Sequence, residues 1–390
     1  MADHMPEPLG GSLKVSPGLA RPFNLTSTRP DWADRLTQGK ALSSVPNLLA
    51  SLFNLCGHAH RLCATLAIQA ARGQAAPLDT AARRSLQTET LREHLRRICL
   101  DWPLQLAASA EVRTRAQEAA HKALRACPVA PDISLVPQAA PEDFSDAADW
   151  LGHLLGGPPS EWLGHWEQAP HGWMRHWCAS TPGWLPELLQ NARTAADTPM
   201  PGLLRALQVH ACDRDLLELA DQLHRSSSFS RQPYWHRQCA ETGPWTRLNQ
   251  QDPEGFDTPW LRLGARLAEL VRLCLPDQPR RSGAQWLQAG SVCAGRNEGL
   301  AWVEMARGLL IHFIRIDGHG TDARAQACRV LAPTEWNFHP QGAVAQALET
   351  LPRDLTPAVE QRIRALMTAF DPCVRFELPL RHFSRENTYA

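Results

Sequence analysis

Four side chains able to ligate a metal, or to act as a nucleophile with a nearby base, stand close together in the first part of the chain. The stretch FNLCGHAHRLCATLA contains Cys56, His58, His60 and Cys63 within eight positions. Thiolate and imidazole are ligands that zinc prefers, yet this spacing matches no standard structural zinc pattern. No third residue is identifiable that would orient a histidine base for a cysteine nucleophile. A helix that begins at His58 would place His60 and Cys63 on one face and His58 elsewhere, so the stretch alone favours the start of a helix.

Further candidates lie near the other end of the chain. Cys373 stands in AFDPCVRFELPL, directly after the Asp-Pro pair that ends a predicted helix. Arg307 precedes a glycine and an apolar strand-like run, where its guanidinium could aim several fixed donors inward. Alone, Arg307 is more typical of a surface arginine, and His312 and His319 are more typical of structural histidines. These residue types suit metal or anion chemistry, but none of them decides the matter singly.

Helical patterns account for the segments that carry the first cysteines. Apolar periodicity predicts helical structure over 45–71 with a break at Cys56, and an amphipathic helix over 80–99. A Pro-rich loop follows near 127–142, and the segment 143–275 is typical of short helices separated by Pro, Gly and Trp.

The pattern changes at Val303. Two strand-like runs flank a Gly-containing turn and predict a β-hairpin near 306–332. The segment TPAVEQRIRALMTAF predicts a helix, with Thr356 as its cap and a proline at its first position. We therefore predict a single domain over 1–390 that is mainly α with a small β portion (α+β).

Composition excludes several classes of function. Lysine plus arginine equals aspartate plus glutamate at 40 each, so the chain carries no electrostatic signature of a nucleic-acid or anionic-membrane partner. Its apolar runs are interrupted by charge and too short to span a bilayer, and its N-terminus has no secretory pattern. The 11 cysteines are odd in number and form no C-x-x-C pair, which indicates reduced thiols and a cytoplasmic protein.

Four motifs, taken in order, resemble those of the large subunit of nickel–iron hydrogenases. In that family CGxCxxxH and DPCxxCxxH bring four cysteines to one nickel–iron centre; here CGHAHRLC lines up with the first and DPCVRFELP with the second. Between them, EMARGLLIH resembles EAPRGxLxH, and VLAPTEWNFHP resembles VVPTTWNxSP. The resemblance covers residues 53–67 and 303–376, and it implies a [NiFe]-hydrogenase large-subunit-like fold.

The departures from the family pattern concern the metal ligands. Cys56 and Cys373 match the cysteines that bind nickel only, whereas the bridging positions fall on Ala59 and Phe376, which cannot ligate a metal. The first motif's histidine falls on Cys63, and the second motif's histidine falls on a proline. The segment LGGSLKV, where the family's proton-transfer glutamate would align, contains no glutamate. With two thiolates instead of four, we expect no stable nickel, no hydrogen turnover and no enzyme.

The resemblance implies that the pocket for the iron's diatomic ligands is kept. Arg307 and Thr334 correspond to the family residues that hydrogen-bond the two cyanides, and Leu310, Ala332 and Pro333 surround the carbonyl. Cyanide on iron is anionic and accepts charge-assisted hydrogen bonds, whereas carbon monoxide needs only a dry apolar wall.

A kept iron pocket without the full ligand set resembles the HupK/HoxV family of hydrogenase maturation proteins. The resemblance implies a scaffold that transiently carries an Fe(CN)2CO group on Cys56 and Cys373, from a HypC–HypD type assembly complex to the precursor hydrogenase large subunit. The retained cysteines are not those that touch iron in the enzymes, so either the iron is displaced or Cys63 contributes. Because the chain ends at Ala390, soon after the second motif, we expect no C-terminal proteolytic processing.

Three alternatives remain open at this point. A divergent hydrogenase large subunit with an altered centre would contain nickel. A metal-free protein that mimics the large subunit to bind its chaperones would tolerate the loss of Cys56 and Cys373. A zinc protein that uses the four residues of the first stretch would show zinc on metal analysis.

Overall fold

The structure, a computed structural model, describes residues 10–130, 143–202, 205–248, 257–275, 286–318 and 320–379. The helices in these ranges are α1 (Trp32–Thr37), α2 (Val45–Leu52), α3 (Gly57–Ala71), α4 (Thr80–Arg96), α5 (Trp102–Leu106), α6 (Ala110–Arg125), α7 (Ser145–Leu155), α8 (Pro159–Gln168), α9 (Pro170–Ser180), α10 (Trp184–Ala196), α11 (Asp213–Arg225), α12 (Pro244–Leu248), α13 (Pro259–Leu273), α14 (Pro333–Asn337), α15 (Ala343–Glu349) and α16 (Pro357–Phe370). The strands are β1 (Ser12–Val15), β2 (Leu25–Ser27), β3 (Ala289–Gly295), β4 (Glu298–Met305), β5 (Gly308–Asp317), β6 (Arg324–Leu331) and β7 (Arg375–Glu377). The fold is therefore mainly α with a small β portion, which confirms the predicted class.

The larger sheet has the strand order β3-β4-β5-β6, and every neighbouring pair is antiparallel. Strands β5 and β6 are the hairpin expected near 306–332, although residue 319 in its turn lies outside the described ranges. Strand β3 and most of β4 were not predicted, because AGSVCAG is a half-buried edge strand of small residues without clear alternation. The sequence does contain an asparagine, Asn297, in the turn between β3 and β4. Asparagine tolerates the positive φ that occurs in hairpin turns, and Asn297 has a φ of 63°.

Helix α3 lies directly on this sheet. A Cβ atom at Gly299 on β4 would stand 2.1 Å from the carbonyl oxygen of Ala67, so only glycine permits this approach. A single 3₁₀ turn, Asn54–Cys56, joins α2 to α3 and makes Cys56 the residue that caps α3. The close contact of α3 with β4 thus fixes Cys56 relative to the β4–β5 turn, which carries Arg307.

The C-terminal helix α16 positions the second cysteine. Thr356 caps it by accepting a hydrogen bond from the backbone N–H of Val359, as predicted. Asp371 ends the helix in a left-handed conformation, with φ 51°, and Pro372 cannot continue it. The helix therefore stops where the chain must turn towards Cys373.

A small second sheet joins the two ends of the described chain. Its order is β2-β1-β7, with β1 antiparallel to β2 and parallel to β7. In this register Leu13 lies opposite Phe376, so Cys373 is held between the end of α16 and a paired strand. Most of the predicted Pro-rich loop, residues 131–142, lies outside the described residues. Among the helices described above, none is both long and apolar enough to cross a lipid bilayer.

Candidate functional site

The thiols of Cys56 and Cys373 meet, although the two residues come from opposite ends of the sequence. Cys56 is 8% exposed, and its thiol hydrogen-bonds the sulfur of Cys373. This hydrogen bond raises the pKa of Cys56 well above its usual range. The same bond, together with the charge of Arg307, lowers the pKa of Cys373 to about 5 despite burial. The charge of Arg307 therefore favours the thiolate form of Cys373.

Arg307 lies beside the thiol pair and is buried, with only 1% of its surface exposed. Its Nη1 donates to Oε2 of Glu93 at 2.9 Å, and its Nε lies 3.3 Å from Oδ2 of Asp371. Its Nη2 is buried and has no hydrogen-bond partner in the described residues. The structure thus excludes a surface arginine here, and it leaves a guanidinium donor available next to the thiols.

Asp371 is the anchor of this arrangement. Its carboxylate lies 3.0 Å from Nε of Arg97, 3.0 Å from Nη2 of Arg266 and 3.3 Å from Nε of Arg307. Burial alone favours the neutral acid, but the three guanidinium groups outweigh it and hold the pKa of Asp371 at about 2. The residue that ends α16 is therefore a fixed anion that orients Arg307.

A second layer of buried charge on α13 supports Asp371. Glu269 on α13 accepts from Nε2 of His94 at 2.8 Å and pairs with Nε of Arg247 at 3.1 Å. Nδ1 of His94 lies 3.1 Å from Nη1 of Arg266, and burial lowers the pKa of His94 to about 4. A neutral His94 thus accepts from the arginine and donates to the carboxylate, which fixes Arg266 against Asp371.

Thr334 connects α14 to the thiol pair. Its hydroxyl oxygen accepts a hydrogen bond from the backbone N–H of Cys373 at 3.3 Å. Asn337, on the same short helix, exchanges two hydrogen bonds with the backbone of Thr242, at 2.9 and 2.8 Å. The hydroxyl of Thr242 in turn accepts from the N–H of Leu309 at 2.8 Å. This bridge holds the start of α14 and the start of β5, and hence Thr334 and Arg307, in fixed relation.

The predicted apolar residues are buried around the same place. Leu310 and Ala332 belong to one hydrophobic cluster with Cys56, and Cys373 packs against that cluster. Pro333 is buried at the first position of α14. Apolar side chains therefore border the thiol pair on the side of this cluster.

Two clefts reach residues of the site. One, of about 680 Å³, reaches Cys373 and is lined also by Asp371 and Phe376. The other, of about 380 Å³, reaches Thr334 and Ala332. Cys373 thus lines the larger cleft, and Thr334, which accepts from the backbone N–H of Cys373, lines the smaller one.

The other residues of the first stretch do not join the thiol pair. Cys63 is fully buried, and its thiol donates to the carbonyl oxygens of Ala301 at 3.4 Å and Leu310 at 3.9 Å. Nδ1 of His60 lies 3.0 Å from Nε2 of His312.

The remaining histidine of that stretch, His58, lies beside Ser85, with 3.4 Å between its Nε2 and the hydroxyl oxygen. Within the ranges that the structure describes, no three His, Cys, Asp or Glu side chains could hold a metal ion together. The zinc alternative therefore lacks its ligand cluster, and Cys63 is not brought to Cys56 and Cys373.

Four charged residues of the site were not identified from the sequence. Asp371 was interpreted only as a helix stop, although a carboxylate two residues before a cysteine was a usable signal. Glu93 gave no signal beyond the amphipathic pattern of α4. Glu335 follows Thr334 in a buried motif, where a carboxylate needs a partner, and that partner is Arg29, with 3.2 Å between Nη1 and Oε1. Nothing in the sequence marks Arg29.

Comparison with known proteins adds relatives along nearly the whole chain. The hydrogenase expression/formation protein HoxV of Cupriavidus necator is 38% identical over 391 residues, which covers 98% of each chain. The hydrogenase expression/formation protein HupK of Rhizobium leguminosarum bv. viciae is 30% identical over 388 residues, which covers 96% of each. No protein-family model matches the sequence.

Solved structures agree with the fold. The reduced [NiFeSe] hydrogenase of Desulfovibrio vulgaris Hildenborough matches with a TM-score of 0.51 at 12% identity, covering 90% of this chain and 92% of that one. A variant of the same enzyme gives a TM-score of 0.50 at 12% identity over the same shares. These likenesses show a hydrogenase large-subunit-like fold and nothing more specific. The long, close sequence matches decide the family: the chain belongs to the HoxV/HupK family of hydrogenase expression/formation proteins.

Proposed function

We propose that this chain is a maturation scaffold for [NiFe] hydrogenase that transiently carries an Fe(CN)2CO group. One observation supports this above all others. The thiols of Cys56 and Cys373 meet at a cleft, beside a buried arginine with an available donor. Membership in a family of hydrogenase expression/formation proteins supports the broader role in hydrogenase maturation.

The chemistry of the surrounding groups suits such a cargo. Thiolate sulfur is a good ligand for iron, and the charge of Arg307 favours the thiolate form of Cys373. The unpartnered Nη2 of Arg307 can donate to one cyanide, and the hydroxyl of Thr334 can donate to the other. A hydrogen bond that involves a charged group contributes about 1.5–3 kcal/mol. Leu310, Ala332 and Pro333 supply the apolar wall that a carbonyl ligand tolerates.

The same geometry favours release as well as binding. Cys56 and Cys373 are the two thiols at this place, and the bridging positions of the hydrogenase pattern hold Ala59 and Phe376. Two thiolates hold a metal fragment less tightly than four, and Cys373 is reached through a cleft. We therefore propose a carrier rather than an enzyme, without stable nickel.

The proposal includes the partners and the compartment. The cargo comes from a HypC–HypD type assembly complex and passes to the precursor of the hydrogenase large subunit. Both exchanges take place in the cytoplasm and use the cleft at Cys373, where an incoming thiolate can compete for iron one ligand at a time.

Infrared spectroscopy tests this proposal on the full chain, purified without oxygen from cells that express the maturation partners. Metal-bound carbon monoxide and cyanide absorb where proteins are silent. We expect one carbonyl band and cyanide bands that disappear in Cys56→Ala and in Cys373→Ala. The matched control is Cys293→Ala, which removes an exposed thiol on β3 and should keep all bands.

Two outcomes would contradict the carrier. A silent window in a protein that still binds the HypC–HypD type complex would leave a metal-free chaperone that mimics the large subunit. Stoichiometric nickel together with hydrogen turnover would instead identify a divergent hydrogenase large subunit.

A further inference from the structure

A second guanidinium lies at the cleft that reaches Thr334, whose hydroxyl accepts from the backbone N–H of Cys373. It belongs to Arg29, which follows β2 and whose side chain is only 13% exposed. Arg29 lines this smaller cleft together with Thr334 and Glu335. The cleft therefore carries a cationic donor beside the Thr334 hydroxyl.

The chain holds Arg29 in place by two means. Gly11 has φ 72°, and a Cβ atom there would stand 2.7 Å from both N and Cα of Arg29. The glycine pair in LGGSLKV thus lets the backbone of Arg29 approach β1. At the other end of the side chain, Glu335 lies 3.2 Å from Nη1.

The pair of Arg29 and Glu335 is incomplete by itself. Nη1 of Arg29 is buried and not aligned to donate to Glu335, and it has no other hydrogen-bond partner in the described residues. Oε2 of Glu335 is likewise buried without a partner. Buried donors and acceptors without partners destabilise the protein, and a bound ligand between them removes that cost. Both groups face a cleft that is large enough for a small ligand.

We infer that Arg29 is a second cationic donor for the cargo and acts with Thr334 on the same cyanide, while Arg307 serves the other cyanide. Each anionic ligand then has its own guanidinium, and each guanidinium is paired with carboxylates: Asp371 and Glu93 for Arg307, and Glu335 for Arg29. Thr334, Glu335 and Arg29 line one cleft, which brings the hydroxyl and the Arg29 pair to the same place. This assignment rests on the proposed carrier function.

The test compares cyanide bands in the infrared spectra of five anaerobically purified full-length proteins. These are the parent protein and the variants Arg29→Gln, Thr334→Val, Arg307→Lys and Arg35→Gln. We expect Arg29→Gln to shift the same cyanide band as Thr334→Val, while Arg307→Lys shifts the other one. Arg35→Gln removes an exposed arginine on the following helix and should leave both bands unchanged.

Two further variants separate charge from geometry. Arg29→Lys keeps the positive charge but loses the planar, two-pronged donor geometry of the guanidinium, so we expect a partial shift of the same band. Gly11→Ala keeps Arg29 but displaces its backbone, and it should shift the same band as well. These two variants also cover the case in which Arg29→Gln fails to fold.

The results distinguish this inference from the carrier proposal. Absence of all bands in the parent protein overturns the carrier. Normal bands in the parent protein, with both cyanide bands unmoved in folded Arg29→Gln, overturn the role of Arg29 alone. A shift of the band that responds to Arg307→Lys would refute the pairing with Thr334.

Discussion

Two cysteines at the start and in the middle of helix α3 lie in opposite settings. Cys56 caps the first turn, meets Cys373 and lies beside Arg307. Cys63 lies about two turns further along and is sealed against the sheet by the carbonyls of Ala301 and Leu310. Burial raises the pKa of both thiols, but only Cys56 gives its hydrogen bond to another cysteine.

The difference teaches that neighbours from distant segments decide what a cysteine in this stretch can do. Around Cys56, α4, α13, α14 and the end of α16 bring charges and a second thiol. Around His60 and Cys63, β4 and β5 bring backbone carbonyls and His312. The first arrangement can accept an anionic metal fragment, whereas the second only completes the core.

The largest expected effect comes from removing the charge that organises the surroundings of Cys56. Asp371→Asn keeps the shape and tolerates the left-handed backbone, but it leaves three guanidinium groups, of which those of Arg266 and Arg307 are buried, without their shared anion. Breaking a buried ion pair in this way costs about 3–5 kcal/mol. Chemical denaturation should show this loss in the free energy of unfolding.

The control for this change is Asp101→Asn. Asp101 also pairs with Arg97, but its side chain is 36% exposed, so its loss should cost about 1 kcal/mol or less. Equal losses in the two variants would mean that the buried charge cluster does not hold Cys373 in place.

A smaller effect is expected from disturbing the contact between β4 and α3, which positions both cysteines. Gly299→Ala would place a methyl group 2.1 Å from the carbonyl oxygen of Ala67, so α3 must move away from β4. Overpacking of this kind costs about 1–3 kcal/mol. It should also weaken the thiol pair, because Cys56 moves with the helix.

Thermal denaturation would measure the loss of stability, and the infrared bands would report the weakening of the thiol pair. Gly157→Ala is the control, since nothing lies within 4 Å of a Cβ atom at that position. A Gly299→Ala protein with unchanged stability and intact bands would show that α3 is not rigidly fixed by the sheet.

Much of the fold could be predicted from local pattern. The capped helix from Pro357 follows from Thr356 and the apolar periodicity, and the β5–β6 hairpin follows from two apolar runs around a turn. Strand β3 could not be predicted in the same way, because its small residues are paired only through β4. Its partner, rather than its own sequence, makes it a strand.

Only the site residues that belong to recognisable sequence motifs could be predicted. The sequence identified Cys56, Cys373, Arg307 and Thr334 through a family resemblance, and the structure brings these four together. Arg29 was not identified from the sequence, because its position depends on the absence of a side chain at Gly11 and not on its own neighbours in sequence. Long-range ion pairs leave no periodic pattern to detect.

Acid should destabilise the packing of α3 against β5 at the His60–His312 pair. Burial lowers the pKa of His60 well below its usual range and lowers that of His312 to about 3. Between roughly pH 6.5 and pH 3 these histidines bind protons in the unfolded chain but not in the folded chain. The free energy of unfolding therefore falls as the pH falls. Each such histidine contributes a slope of about 1.4 kcal/mol per pH unit.

Denaturation at pH 7, 6 and 5 measures this slope. His312→Gln should flatten it by about one histidine's contribution, because Gln cannot bind the proton. His121→Gln, an exposed position on α6, should leave the slope unchanged. A parent slope that His312→Gln does not alter would mean that this histidine pair does not control the acid sensitivity.

The smallest expected effect on stability comes from Cys63→Ala, and this variant tests the contrast between Cys56 and Cys63 most directly. Cys63→Ala removes one buried group and should cost about 1 kcal/mol, since the deletion leaves only a small cavity against β4 and β5. The carbonyl and cyanide bands should remain at their normal positions, because the Cys63 thiol bonds only backbone carbonyls. Cys56→Ala, at the N-cap of the same helix, should instead abolish the bands. Loss of the bands in Cys63→Ala at near-normal stability would make Cys63 a ligand after all, and the two cysteines would then belong to one site.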